Sequence, residues 1–197
     1  GSGTVFALSV PSGPPVALFA ASPTYGLAPM TVTFTNLSIF ATNYAWAFGD
    51  GNVSTLANPT NTYANAGTYS VTLTAIGPGG TSKLTRTNYI VAVLASAGGN
   101  QTICCGSATA GLGGSVGGSA TGGIWSSSGT GTFSPNATTL NATYQPAPAD
   151  CTAGTVTLTL TTTGGTGVAT ANVVVTIRAA ATVAVGGSQT ICSSGAT

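Results

Sequence analysis

Five side chains hold all the ionic charge of this 197-residue sequence: Asp50, Asp150, Lys83, Arg86 and Arg178. Histidine and glutamate are absent. The first absence removes the imidazole on which general-base catalysis and many zinc sites rely. The second leaves Asp50 and Asp150 as the one carboxylate pair, and acid–base work would need them to meet. They fall in different repeats of the chain. Lys83 follows the hairpin turn Gly77-Pro78-Gly79-Gly80 and is expected at a solvated edge, away from any serine it could activate. These residue types imply a chain that is not an enzyme and carries no cofactor. Asp50 sits in Gly49-Asp50-Gly51-Asn52, which offers one carboxylate and several carbonyl oxygens. Calcium takes roughly 6–8 oxygens, so the turn is a weak calcium candidate. The expected role of Asp50 is to cap its own turn, accepting backbone N–H bonds two residues on.

The cysteines offer covalent chemistry instead. Cys104 and Cys105 are adjacent, so in an extended segment they point to opposite faces and only one reaches Cys151 comfortably. Either Cys104–Cys151 or Cys105–Cys151 closes a loop of roughly 45 residues, worth about 3–4 kcal/mol in the chain-entropy model. The other member of the pair and Cys192 are then left over, for a further repeat or for a bridge between subunits. Cysteines in a chain of this composition favour an oxidising compartment. Five Asn-x-Ser/Thr triplets, at Asn36, Asn52, Asn100, Asn136 and Asn141, are candidate glycan acceptors. Threonine rows facing solvent are equally open to O-linked sugar.

Composition then bounds what must position these groups. Charged residues make up 3% of the chain, against roughly 25% in an ordinary soluble domain, and the net charge is +1. That balance excludes the basic footprint of a nucleic-acid binder. Disorder is excluded by the 43% hydrophobic content. No apolar run approaches the ~18–20 residues of a spanning helix, so no membrane insertion is expected. Threonine and valine suit pleated strands, and glycine and proline punctuate turns, so the chain reads as all-β.

Gly98-Gly99-Asn100-Gln101-Thr102-Ile103-Cys104 recurs 88 residues on, with Cys104 matched by Cys192, as Gly186-Gly187-Ser188-Gln189-Thr190-Ile191-Cys192. A period of this size is that of one β-sandwich module. We therefore divide the chain into an N-terminal apolar strand and Pro-rich linker (1–14), two sandwiches (15–94 and 95–178), and the first strand of a third repeat (179–197). Alternation places Val32 and Phe34 inward, then Tyr44, Trp46 and Phe48, then Tyr69, Val71 and Leu73. In the second module it places Val156, Leu158 and Leu160 inward, then Val173, Val175 and Ile177. Trp46, Tyr69 and Trp125 are the expected aromatic core rather than sugar-stacking platforms.

The blocks Trp46-Ala47-Phe48-Gly49-Asp50-Gly51, Asn58-Pro59-Thr60-Asn61-Thr62-Tyr63 and Gly67-Thr68-Tyr69-Ser70-Val71-Thr72-Leu73 occur in that order. They closely resemble the polycystin-type (PKD) domain, with its pattern W-D-F-G-D-G, N-P-x-H-x-Y and G-x-Y-x-V-x-L. Ala47 stands where the pattern has its first Asp, and Asn61 where it usually has His, so both departures remove ionisable groups. The second module is similar to PKD-like or immunoglobulin-like repeats of large bacterial surface proteins. The resemblance implies tandem immunoglobulin-like sandwiches in an extracellular or cell-surface protein with a structural or adhesive role. Partners would be neighbouring copies, adjacent modules of a longer chain, or glycans. Self-assembly into a filament by strand addition, using Val5–Val10 or Val183–Cys192, is the sharper form of this expectation. A spacer or carbohydrate-binding segment of a large secreted hydrolase is the alternative.

Overall fold

A computed structural model describes residues 13–179. The chain divides into two compact units, Gly1–Ala92 and Val93–Thr197. The first holds β1 (Phe19–Ser22), β2 (Tyr25–Leu27), β3 (Met30–Asn36), β4 (Asn43–Ala47), β5 (Val53–Ser54), β6 (Thr60–Tyr63), β7 (Gly67–Gly77) and most of β8 (Gly80–Ser96). The second holds β9 (Gln101–Cys104), β10 (Ser115–Gly117), β11 (Gly122–Ser127), β12 (Thr132–Ser134), β13 (Thr143–Gln145), α1 (Pro148–Ala153), β14 (Thr155–Thr163) and β15 (Thr170–Arg178). The fold class is all-β, as the alternating patterns require.

In the first unit a three-stranded sheet, β1-β3-β6, faces a second sheet ordered β8-β7-β4-β5, with β2 also paired to β8. The strand β3 shows why the two layers meet: Met30, Val32 and Phe34 are buried while Thr31, Thr33 and Thr35 are exposed. Each fully buried side chain of this size contributes roughly 1.5–3 kcal/mol. Phe19, Phe34, Trp46 and Phe48 pack ring against ring between the layers, with centroids 5.0–6.5 Å apart. The Trp46 indole N–H donates to the Leu56 carbonyl at 2.9 Å, so its polar atom is satisfied inside the core. Tyr69 keeps the inward phase of Val71 and Leu73 but is less deeply buried than they are. It is half-buried against the core, and its hydroxyl reaches out to the Asn65 carbonyl at 2.8 Å. The fully buried tyrosine is Tyr63, whose ring lies 4.5 Å from that of Tyr69.

Opposite Ser70, between the pairs Tyr69/Ile90 and Val71/Arg86, the β7–β8 ladder slips at a bulge. Asn88 takes a positive φ there, and the Ser70 hydroxyl accepts its amide at 3.1 Å. Arg86 and Tyr89 are thereby brought together. The guanidinium lies 4.8 Å from the Tyr89 ring centroid and 5.2 Å from that of Phe19.

The second unit is built on a four-stranded sheet ordered β11-β14-β15-β9, in which β9 runs parallel to β15. Val156, Leu158 and Leu160 on β14 and Val173, Val175 and Ile177 on β15 turn to one side and are buried. The opposing layer comprises the hairpin β12–β13 and residues 109–114, whose amides at Thr109, Leu112 and Gly114 bond back to Tyr144, Ala142 and Leu140. Trp125 is buried between the layers and donates to the Leu140 carbonyl at 3.1 Å. Within β8, residues Leu94–Ser96 pair with β10.

Candidate functional site

Each unit gathers its one carboxylate into a polar cluster. In the first, the turn after β4 is drawn tight by the Phe48 amide donating to the Asn52 carbonyl at 3.1 Å. Gly49 and Gly51 take positive φ at its corners, and a Cβ on Gly49 would collide with the Ser70 backbone. Asp50 Oδ1 accepts the Asn52 amide at 3.0 Å, two residues on. Its Oδ2 accepts the Nδ2 groups of Asn52 at 3.0 Å and of Asn61 at 2.7 Å, and Asn52 Nδ2 also donates to Asn61 Oδ1. Asn61, in the place of the usual histidine, is buried on β6 and ties the turn to the opposite sheet with a neutral amide. Both Asp50 oxygens are engaged by N–H donors, so a cation would have to displace three bonds. Among the described residues no group of three or more His, Cys, Asp or Glu side chains converges.

The second cluster is one that sequence reasoning did not single out. Asp150, 2% exposed, is the third residue of α1. Its Oδ1 accepts the Thr130 amide at 2.8 Å. Its Oδ2 accepts the Tyr144 hydroxyl at 2.8 Å, the Gly131 amide at 2.9 Å and the Ala147 amide at 3.0 Å. Burial alone would raise the carboxyl pKa; the amides of Thr130, Ala147 and Gly131 and the Tyr144 hydroxyl outweigh it and hold it below the usual value. Tyr144 is fully buried, accepts from the Ser127 hydroxyl and the Gly131 amide, and donates to Asp150. Burial raises its phenol pKa; the Ser127 bond opposes that rise and the adjacent carboxylate adds to it. A Cβ on Gly129 would strike the Asp150 carboxylate, so glycine is required for the loop to close on it. The sequence signal was Pro148 at the first turn of a helix with Asp150 two residues on.

The neighbouring residue Cys151 is bonded to Cys105, with Cα atoms 5.4 Å apart, which fastens α1 to the segment leaving β9. Of the two pairings open to Cys151, this is the one formed. Cys104 is also disulfide-bonded rather than left over, and Cys192 lies outside the described residues.

The asparagines of the five triplets differ in their surroundings. Asn36 is half-buried, and its Oδ1 accepts the Ser38 amide. The Nδ2 of Asn52 is held in the Asp50 cluster. Asn100 and Asn141 are exposed, their Oδ1 atoms accepting the Val174 and Gly113 amides. Asn136 is exposed and its Oδ1 gathers the amides and hydroxyls of Thr138 and Thr139. Lys83 and Arg178 are exposed. Each cluster is an internal clamp on loops, the first tying the β4 turn to β6 and the second tying residues 130–131 and Tyr144 to α1.

Two sheets packed over an aromatic core define the first unit as an immunoglobulin-like sandwich. Residues 13–92 match the family model of the PKD domain, and through this module the chain belongs to the PKD domain family. Among solved structures, the PKD1 domain of Epp from Vibrio anguillarum is 32% identical, with 41% of this chain and 96% of that one covered and a TM-score of 0.34. The PKD1 domain of the metalloprotease PrtV from Vibrio cholerae is 36% identical, with 38% and 95% covered and a TM-score of 0.30. A structure of carbohydrate-binding modules from the beta-sandwich superfamily is 23% identical, with 76% and 54% covered and a TM-score of 0.40. No curated protein matches. No helix of the described residues is long and apolar enough to cross a membrane.

Proposed function

We propose that this chain is a structural protein of the extracellular surface whose sandwich modules associate with copies of themselves into a filament. The observation that carries the reading is the outer surface of the sheets. Threonines there face solvent in rows and bond across strands, Thr31 with Thr62 and Thr72 with Thr85, each at 2.9 Å. The Thr31/Thr62 face is hydrated without ions, so nothing on it repels a second copy. The edge at β6 supports strand addition. Register with β3 turns the backbone groups of Thr60 and Thr62 outward, and they meet no partner among the described residues. Val5–Val10 and Val183–Cys192, both outside the described residues, supply uncharged strands for such an edge. The PKD module and the two internally hydrogen-bonded carboxylates, Asp150 buried and Asp50 half-buried, accord with a non-catalytic role. Sedimentation velocity of the purified chain tests the reading: concentration-dependent growth beyond the monomer is expected, and a strict monomer at high concentration refutes it. A second reading, a glycan-binding or spacer segment of a secreted hydrolase, is favoured by Tyr25 alone, an aromatic on β2 that is 55% exposed. Glycan-array binding that disappears in Tyr25→Ala would establish it.

A further inference from the structure

The Asn-x-Ser/Thr triplets are equivalent as sequence, but the fold treats them differently. Asn136 lies in the loop 135–142 that joins β12 to β13. Its Oδ1 accepts the Thr138 amide at 3.0 Å and hydroxyl at 2.8 Å, and the Thr139 amide at 3.0 Å and hydroxyl at 3.1 Å. Four donors on one atom identify it as the amide oxygen. The Nδ2 group is the other end of that amide, and it meets no acceptor among the described residues. Ser134, Pro135, Asn136 and Thr138 are all exposed, so the nitrogen is open to a large reactant.

Each of the other triplets is held by a specific contact. Asn52 Nδ2 donates to Asp50 and Asn61, and a substituent on it would break into that network. Asn36 closes β3, its amide donating to Asn58 Oδ1, while the Leu37 amide and the Ser38 hydroxyl both donate to the Leu18 carbonyl. In the Asn100 triplet, Thr102 lies in β9 in register with Thr176 of β15, so the segment is locked in a sheet. Asn141 packs against Gly111, where even a Cβ would strike its side-chain amide, and the Thr143 hydroxyl is turned to the Ser134 carbonyl. Across the Asn136 triplet, one backbone bond among the described residues reaches another strand, from the Trp125 amide to the Ala137 carbonyl. There alone the triplet's own hydroxyl already sits on the asparagine oxygen.

We propose that Asn136 is the acceptor of an N-linked glycan, delivered as an oligosaccharide on a lipid diphosphate by a transferase outside the cytoplasm. In the transfer a bond forms from Nδ2 to the anomeric carbon. The bond from that carbon to the diphosphate oxygen breaks, and its electron pair leaves with the diphosphate. One Nδ2 proton passes to a base of the transferase, and nothing is oxidised or reduced. An amide nitrogen is a poor nucleophile because its electron pair is shared with the carbonyl. As the proton leaves, charge gathers on Oδ1, where four donors already stand to stabilise it. The product keeps Oδ1 and one N–H, so the turn survives its own modification. The site shares the extracellular placement of the reading above but needs no second copy, so it is independent of self-assembly.

The test incubates the folded full chain with a purified oligosaccharyltransferase and a lipid-linked oligosaccharide diphosphate. Electron-transfer mass spectrometry then locates the sugar. Asn136 should be occupied at least about tenfold more than any of the other four asparagines. Asn136→Gln and Thr138→Ala should each abolish transfer to this loop, and Thr138→Ser should restore it, with circular dichroism showing that every variant is folded. A folded chain that takes its sugar on another asparagine overturns the proposal. So does one that takes none where a short Asn-x-Thr peptide is fully modified. Protease treatment of intact source cells tests the extracellular placement separately: a chain that is protected sinks that placement whatever the transferase does.

Discussion

Asp150 shows how a carboxylate can be buried and still have its oxygens satisfied. Five hydrogen bonds to its oxygens, three from backbone amides and two from the hydroxyls of Thr130 and Tyr144, replace the water it loses. An amide in its place brings two N–H donors to a site lined with donors. Asp150→Asn should therefore destabilise the second module by about 2–4 kcal/mol, seen as a lowered calorimetric transition. Asp50→Asn should cost under about 1 kcal/mol, because that turn is partly solvated and its asparagine partners can rotate. Equal effects of the two substitutions would contradict the difference in burial. No such ranking is local to the chain, since Thr130 and Tyr144 approach Asp150 only when their loops close.

At the level of elements, α1 is a single short turn that could not persist alone. It is held by Asp150 at one residue and by the Cys105–Cys151 bond at the next. Replacing both cysteines by serine should cost the second module about 3–4 kcal/mol in the loop-entropy model, measured by urea unfolding. Hydrogen exchange should rise first in Pro148–Ala153. The same helix sets the acid response. The Asp150 pKa is depressed in the folded state, so its contribution is complete above the ordinary carboxyl value of 3.8 and is lost as pH falls below it. The second module's melting temperature should drop between about pH 4 and pH 2, and Asp150→Asn should flatten that drop. An unchanged acid dependence in the variant would remove Asp150 from the cause.

For the molecule as a whole, a net charge of +1 from five ionic side chains leaves little for salt to screen. Self-association should accordingly change less than about twofold between low salt and roughly 1 M sodium chloride, and sulfate should strengthen it. Sedimentation velocity across that series checks the point; a steep loss of assembly with salt would indicate an ionic contact and contradict an uncharged interface.

Alternation of threonine with aliphatic residues was enough to determine the all-β class and the inward rows of β3, β14 and β15, because strand geometry fixes a side chain's face locally. The Trp46–Gly51, Asn58–Tyr63 and Gly67–Leu73 blocks were enough to determine the PKD likeness. Depth was not local. Alternation assigned Tyr69 inward, yet only packing made Tyr63 the buried tyrosine and left Tyr69 at the sheet's end. The choice of Cys105 over Cys104 for Cys151 and the carboxylate nest around Asp150 were likewise decided by tertiary structure. Each depends on which distant segments close on one another, and that follows from the sum of many burial energies rather than from any short stretch of residues.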